Sequence, residues 1–183
     1  MKYPKDIVLS GGGLNGIHML KAIKMIEGRI GGTLFSQFQL RSINGSSIGS
    51  LVGLGILLDY HADEFIKHAI PKQNNFMFLF EELRVSEFVQ SYGFTQNDAI
   101  APCVDDIISY KHPEFKGKSI SFLELYDITK VQYNVCVTNI HTSECEVWNH
   151  ITQPHMPVSF GIRVSTCIPI LFSPIFYNGS YYI

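Results

Sequence analysis

Twice within its first 58 residues the sequence passes from a short apolar run, through a glycine-bearing turn, into a helix-like segment. That alternation constrains the fold most, because parallel strands joined by helical crossovers produce it. Ile7-Val8-Leu9 reads as a buried strand, ended by Ser10 and Gly11-Gly12-Gly13. From Gly16 onward Met19, Ile23, Ile26 and Ile30 recur at helical spacing, and Gly28, Gly31 and Gly32 read as the stop. Residues 38–44 read as a second strand. Residues 47–58 read as an apolar helix whose Gly49, Gly53 and Gly55 permit close packing. An α/β three-layer sandwich with a central, mostly parallel sheet is expected.

A length of 183 residues predicts one domain over 1–183. Hydrophobic residues reach 46% and charged ones only 16%, a balance that excludes intrinsic disorder. The net charge of -2 argues against nucleic acid as a partner. Cys103, Cys136, Cys145 and Cys167 have no zinc-ligand spacing, so free thiols and no metal are expected. No signal-peptide apolar region precedes Ile7, and Pro169, Pro174 and the Asn178-Gly179 turn interrupt the longest uncharged stretch. A cytoplasmic protein, without a transmembrane helix, is expected.

Further along, Asp63 to Ile70 reads as a helix ending before Pro71. Thr95 to Asp98 has the form of a capping box ahead of Ile100, Val104, Ile107 and Ile108. Ser121-Phe122-Leu123-Glu124 repeats that form. Residues 131–137 and 144–148 read as strands, Pro157 as the start of a short helix reaching about Ser165, and Asn178-Gly179 as a type I′ turn between aromatic strands.

Chemistry concentrates in the two early turns. Gly45-Ser46-Ser47-Ile48-Gly49 is a G-x-S-x-G between strand and helix, the setting in which a serine hydroxyl is held exposed at a sheet edge with glycines relieving crowding on both sides. Ser47 would also sit at a helix N-terminus, where aligned amides favour developing negative charge. The plain alternative is a serine- and glycine-rich turn capping an apolar helix. Gly11, Gly13 and Gly16 fit G-x-G-x-x-G literally, so the loop's amides could cradle a pyrophosphate or an acyl-transfer oxyanion. A dinucleotide site expects an acid about 20 residues on. No Asp or Glu occurs from Ile30 to Leu54, and no Gly-Lys-Ser/Thr follows the loop. The oxyanion reading accounts for both loops together.

A G-G-G-x-x-G loop after the first strand, followed by G-x-S-x-G, resembles the patatin-like phospholipases. Thr138-Asn139-Ile140 resembles the end of that family's core strand. Ser165 to Pro169, with Phe172 and Pro174, resembles its S-x-x-x-P-x-x-F-x-P segment. The resemblance implies Ser47 as nucleophile, Gly11, Gly12 and Gly13 as oxyanion hole, and Gly45 and Gly49 as elbow glycines. It implies an acyl lipid or phospholipid substrate, no cofactor, and peripheral membrane contact. It also implies a serine–aspartate dyad whose aspartate follows the strand equivalent to Tyr181-Tyr182-Ile183, hence one residue beyond Ile183. The family usually has Arg or Lys where Asn15 stands here.

Residues already in the chain offer no convincing base. His112, His141, His150 and His155 read as loop or surface histidines. Asp59 and Asp63 lie about 18 Å or more along the axis of the nucleophile's own helix. Asp105, Asp106 and Asp127 read as water-facing. Phe76-Met77-Phe78-Leu79-Phe80 reads as the packing of an aromatic-rich helix, with a membrane-touching flap as alternative. Two rival functions remain: a catalytically inactive lipid-binding or interaction module, and a nucleotide-binding α/β domain.

Overall fold

The computed structural model describes residues 4–69 and 92–183. The residues 76–80 therefore lie outside the described part. Elements of the first half are β1 (Asp6–Leu9), α1 (Gly16–Ile30), α2 (Leu34–Gln37), β2 (Ser42–Ser46), α3 (Ile48–Leu57) and α4 (Ala62–Ala69). Then follow β3 (Gly93–Thr95), α5 (Ile100–Lys111), α6 (Phe122–Thr129), β4 (Gln132–Asn139), β5 (Glu144–Trp148), α7 (Val158–Ser165), β6 (Ile170–Phe172), β7 (Ile175–Tyr177) and β8 (Ser180–Tyr182).

The result is a mixed α/β domain whose central sheet, six-stranded among the described residues, is flanked by helices. Pairing is parallel through β1, β2 and β4, with Leu9 opposite Gly45 and Ser46 opposite Cys136. It is antiparallel where β5, β8 and β7 join. Alternate residues of a strand aim their amide and carbonyl at the same edge. Gln132 N–H donates to Arg41 O and Thr138 N–H donates to Ile183 O. Both are even-numbered, so β2 and β8 occupy one edge of β4 in succession, and β5 takes the other. Because β8 runs against β4, its end approaches the end of β2. Ile183 stands opposite Thr138 and Ser46 opposite Cys136. That is two residues apart, about 6.6 Å along the sheet.

One sheet face is apolar. Ile43, Val135, Val137 and Trp148 are buried there against α3, α6 and α7. Phe122 stacks on Tyr133, and Phe160 on Trp148. A methyl at Gly161 would come within 2.8 Å of Phe122, which is why this helix can press so near. The opposite face carries a polar row instead. Asn134 Nδ2 donates to Asn44 Oδ1 at 2.7 Å, and Asn134 Oδ1 accepts from Gln132 Nε2 and Asn149 Nδ2.

Several expectations need correction. β1 is not a fully buried strand: Val8 is 78% exposed, because alternate side chains leave the packed face and β1 is at the edge of the sheet among the described residues. The second strand begins at Ser42 rather than Phe38, since Thr33 caps α2 by accepting from Ser36 N–H at 3.1 Å. On α1 the buried positions are Gly16, Leu20, Ile23 and Glu27, whereas Ile26 is 41% exposed. The capping box at Thr95 does not form: Thr95 belongs to β3, and the Asn97 amide donates to Arg163 O and accepts from Arg163 Nε. The box at Ser121 does form, with both reciprocal bonds to Glu124. Asn178 and Gly179 have φ of 47° and 83°, as a type I′ turn requires.

Glu146 fastens the strands that meet at β4. Its carboxylate accepts from Asn139 Nδ2 at 2.8 Å, Trp148 Nε1 at 3.0 Å and Tyr182 Oη at 3.3 Å. Burial pushes its pKa up, but these three donors together outweigh burial and hold it below the ordinary value. The clamp's contribution is therefore complete above the unfolded pKa of about 4.3 and is lost as pH falls through the lower folded value. Urea midpoints measured from pH 6 to 3 should fall less steeply for Glu146→Gln than for the wild type.

Tight packing of α3 gives a second expectation. A Cβ at Gly49 would lie 2.3 Å from Leu9 O, whereas one at Gly28 meets nothing within 4 Å. Gly49→Ala should lose about 3 kcal/mol or more in urea unfolding. Gly28→Ala should gain about 0.5–1 kcal/mol, as expected for an open helix position.

Candidate active site

Both turns singled out in the sequence leave the same end of the parallel sheet, because β1 and β2 run side by side in register. Ser47 forms the corner between β2 and α3. Its φ of 52° and ψ of -126° lie in a region that non-glycine residues rarely adopt. Five hydrogen bonds, three of them to Ser47 itself, hold it there. Ser47 N–H donates to Ser165 Oγ at 2.8 Å, and Ser165 Oγ donates onward to Cys136 O at 2.6 Å. The Ser47 carbonyl accepts from Ser50 N–H and from Ser50 Oγ, while Ser50's own carbonyl accepts from Tyr133 Oη.

Glycine is required on both sides. A side chain at Gly45 would strike the Ser50 backbone at 2.4 Å, and one at Gly49 the Leu9 carbonyl at 2.3 Å. Gly11 runs alongside: its Cβ position is 3.4 Å from Ser47 Cβ. The structure thus brings Ser47, Gly45 and Gly49 together with the start of the glycine loop. The amides of Gly11 and Gly12 donate to no acceptor among the described residues. Gly13, at φ +53°, opens a short 3-10 turn, Gly13–Asn15, that leads into α1. Asn15 N–H donates to Gly12 O at 3.0 Å. Ser47 is half-buried, and Gly11, Gly12, Gly13 and Asn15 are exposed.

No hydrogen bond joins Ser47 Oγ to a carboxylate or imidazole among the described residues. The acids are engaged elsewhere: Asp59 with Thr33, Asp63 with Lys24, Asp98 with Arg163, Asp105 with Ser119, Asp127 with Lys130. His112 pairs with Glu114, His150 stacks on Tyr126, and His141 and His155 are exposed. Two of the thiols are held in the neutral form. Burial pushes Cys167 up to about 11, and burial with the neighbouring Cys145 raises Cys136. A cavity of about 370 Å³ between α4 and α5 is lined by residues including His68, Asp106, Tyr110 and Lys116, and it does not include Ser47.

The part played by Ser165 was not evident from the sequence beyond its place in the S-x-x-x-P segment. Its grip on the Ser47 amide depends on α7 ending beside β4. No local signal reports such a contact across the chain.

The patatin-like phospholipase family matches residues 7–183. A probable lipid hydrolase of Invertebrate iridescent virus 6 is 25% identical over the whole of this chain, and an uncharacterized protein of Acanthamoeba polyphaga mimivirus is 22% identical over 97% of it. The chain spans 59% and 56% of the lengths of these two relatives. Among solved structures, ExoU of Pseudomonas aeruginosa in complex with SpcU has a TM-score of 0.63 at 17% identity, covering 92% of this chain and 37% of its own. VipD of Legionella pneumophila has a TM-score of 0.55 at 16% identity, covering 99% of this chain and 46% of its own. Those two likenesses concern the fold. The family match runs through nearly the whole chain, from β1 to the end of β8, and on that ground the protein belongs to the patatin-like phospholipases.

Proposed function

We propose that the protein is a lipid acyl hydrolase of the phospholipase A type, with Ser47 as nucleophile. One observation carries the reading: Ser47 sits at a strained strand–helix corner with the Gly11 backbone alongside it. Ser47 Oγ would attack the ester carbonyl of a membrane lipid. The carbonyl oxygen, as it gains charge, would be held by the amides of the Gly11 to Gly13 loop. The Ser47 amide is already given to Ser165, so it is not one of those donors. The free amides of Gly11 and Gly12 suit that role. The leaving alcohol departs with a proton, and water then releases the acyl group from Ser47.

A serine hydroxyl is a weak nucleophile until a neighbouring base takes its proton. β8 runs toward the end of β2, so a residue following Ile183 in a longer chain would enter the sheet beside Ser47. An aspartate there completes the dyad that the sequence resemblance implies. No metal or organic cofactor enters this scheme. The other reading, a lipid-binding module without activity, is favoured by one fact, that no base meets Ser47 Oγ among the described residues.

A fluorophosphonate probe separates the two, because it labels only an activated serine. Protein extended past Ile183 should be labelled and should hydrolyse a short-chain ester. Ser47→Ala, or Asn at the first added position, should abolish both. Lipid binding without labelling would favour the inactive module, and thermal stabilisation by NAD or ATP would favour a nucleotide site. Gly12→Pro should nearly abolish turnover, since each lost oxyanion donor costs about 3 kcal/mol in the barrier. Ser165→Ala frees the Ser47 amide and leaves Cys136 O without its donor, so it should lower urea stability by about 1–3 kcal/mol.

A further inference from the structure

Helix α1 starts where the glycine loop ends, and its solvent face carries cations in a chain of net charge -2. Gly16, Leu20, Ile23 and Glu27 point inward. At 100° per residue, His18, Lys21, Met25 and Arg29 lie on the opposite side, with Ile17 and Lys24 at its flank. Met25 is 65% and Ile17 39% exposed, so apolar side chains stand among these cations. The helix holds a single acid, Glu27, and it is turned inward, where its carboxylate accepts from Ala62 N–H at the start of α4. Lys24 pairs with Asp63, whereas Lys21 and Arg29 have no carboxylate partner among the described residues. An exposed helical face with cations around apolar side chains, and no outward acid, is complementary to an anionic interface.

We infer that this face of α1 docks the protein on a bilayer containing anionic lipid. The inference rests on the hydrolase reading only for its purpose: docking would hold the Gly11–Gly13 loop, and Ser47 beside it, at the surface that supplies substrate. Lys21 and Arg29, with His18, would sit among the headgroups, and Ile17 and Met25 would enter the acyl boundary. Attraction of this kind weakens with salt, because the surface field is screened within a Debye length.

Co-sedimentation of the full-length protein with phosphatidylcholine vesicles, with and without 30% phosphatidylserine, tests it. Binding should require phosphatidylserine and fall at 0.5 M salt. Lys21→Glu with Arg29→Glu should weaken it at least tenfold, and Met25→Ser should weaken it without changing net charge. Lys116→Glu with Lys118→Glu changes net charge equally at exposed residues away from α1 and should leave binding intact. Hydrolysis of a soluble short-chain ester should be unaffected by any of these variants. Ser47→Ala should still bind, so lost hydrolysis with retained docking would overturn only the hydrolase reading. Equal binding with and without phosphatidylserine, or equal loss in both charge-reversal pairs, would overturn the assignment to α1. Self-association abolished by the α1 pair, with no vesicle binding, would give the face to a second copy instead.

Discussion

The approach of α3 to β1 at Gly49 is the contact on which the rest of the site depends. It leaves no room for a side chain, and it sets the first turn of α3 directly against the Leu9 and Ser10 carbonyls. With the helix that close, the chain leaving β2 must reverse within one residue. Ser47 therefore takes a backbone conformation that costs on the order of 1–3 kcal/mol. The cost is offset by bonds to both Ser47 peptide groups, from Ser165 on one side and Ser50 on the other. The same geometry that strains the residue aims it out of the sheet edge, next to Gly11. Position and strain have one cause.

Features built from neighbours in sequence were legible before the structure. The Ser121 box and the Asn178-Gly179 turn formed as read, since each bond or dihedral in them lies within four residues. The strand–turn–helix alternation likewise gave the α/β architecture, and the two glycine motifs pointed to turns that do meet. Misreadings came where a distant partner intervened. The Thr95 box had correct residue types, yet the Asn97 amide found a better arrangement with Arg163, 66 residues away. Val8 looked buried because apolar runs do not reveal which strand will be at an edge. Ile26 fitted the stripe on α1, but a buried Glu27 took the inward position by capping α4. Each error arose from tertiary packing that a window of neighbouring residues does not encode.

At β4, two strands share one edge end to end while β5 holds the other, and Glu146 ties β4, β5 and β8 with three bonds. A strand pair as short as β7–β8 has little stability of its own. Its direction toward Ser47 is thus maintained by a carboxylate at the sheet and by aromatic packing of Tyr177 and Tyr182 around Trp148. The course of the chain beside Ser47 is in this sense delegated to residues that never touch it.

The hydrogen bond from Ser47 to Ser165 closes a loop of 118 residues. Contacts that far apart form late, because the chain must first be brought together against the entropy of everything between. During folding β2 and α3 can form the corner at Ser47, and the bond that holds its amide is added when α7 arrives. The order of assembly therefore makes the hold on the Ser47 amide a late product of folding, one that amide exchange at Ser47 can time against the core.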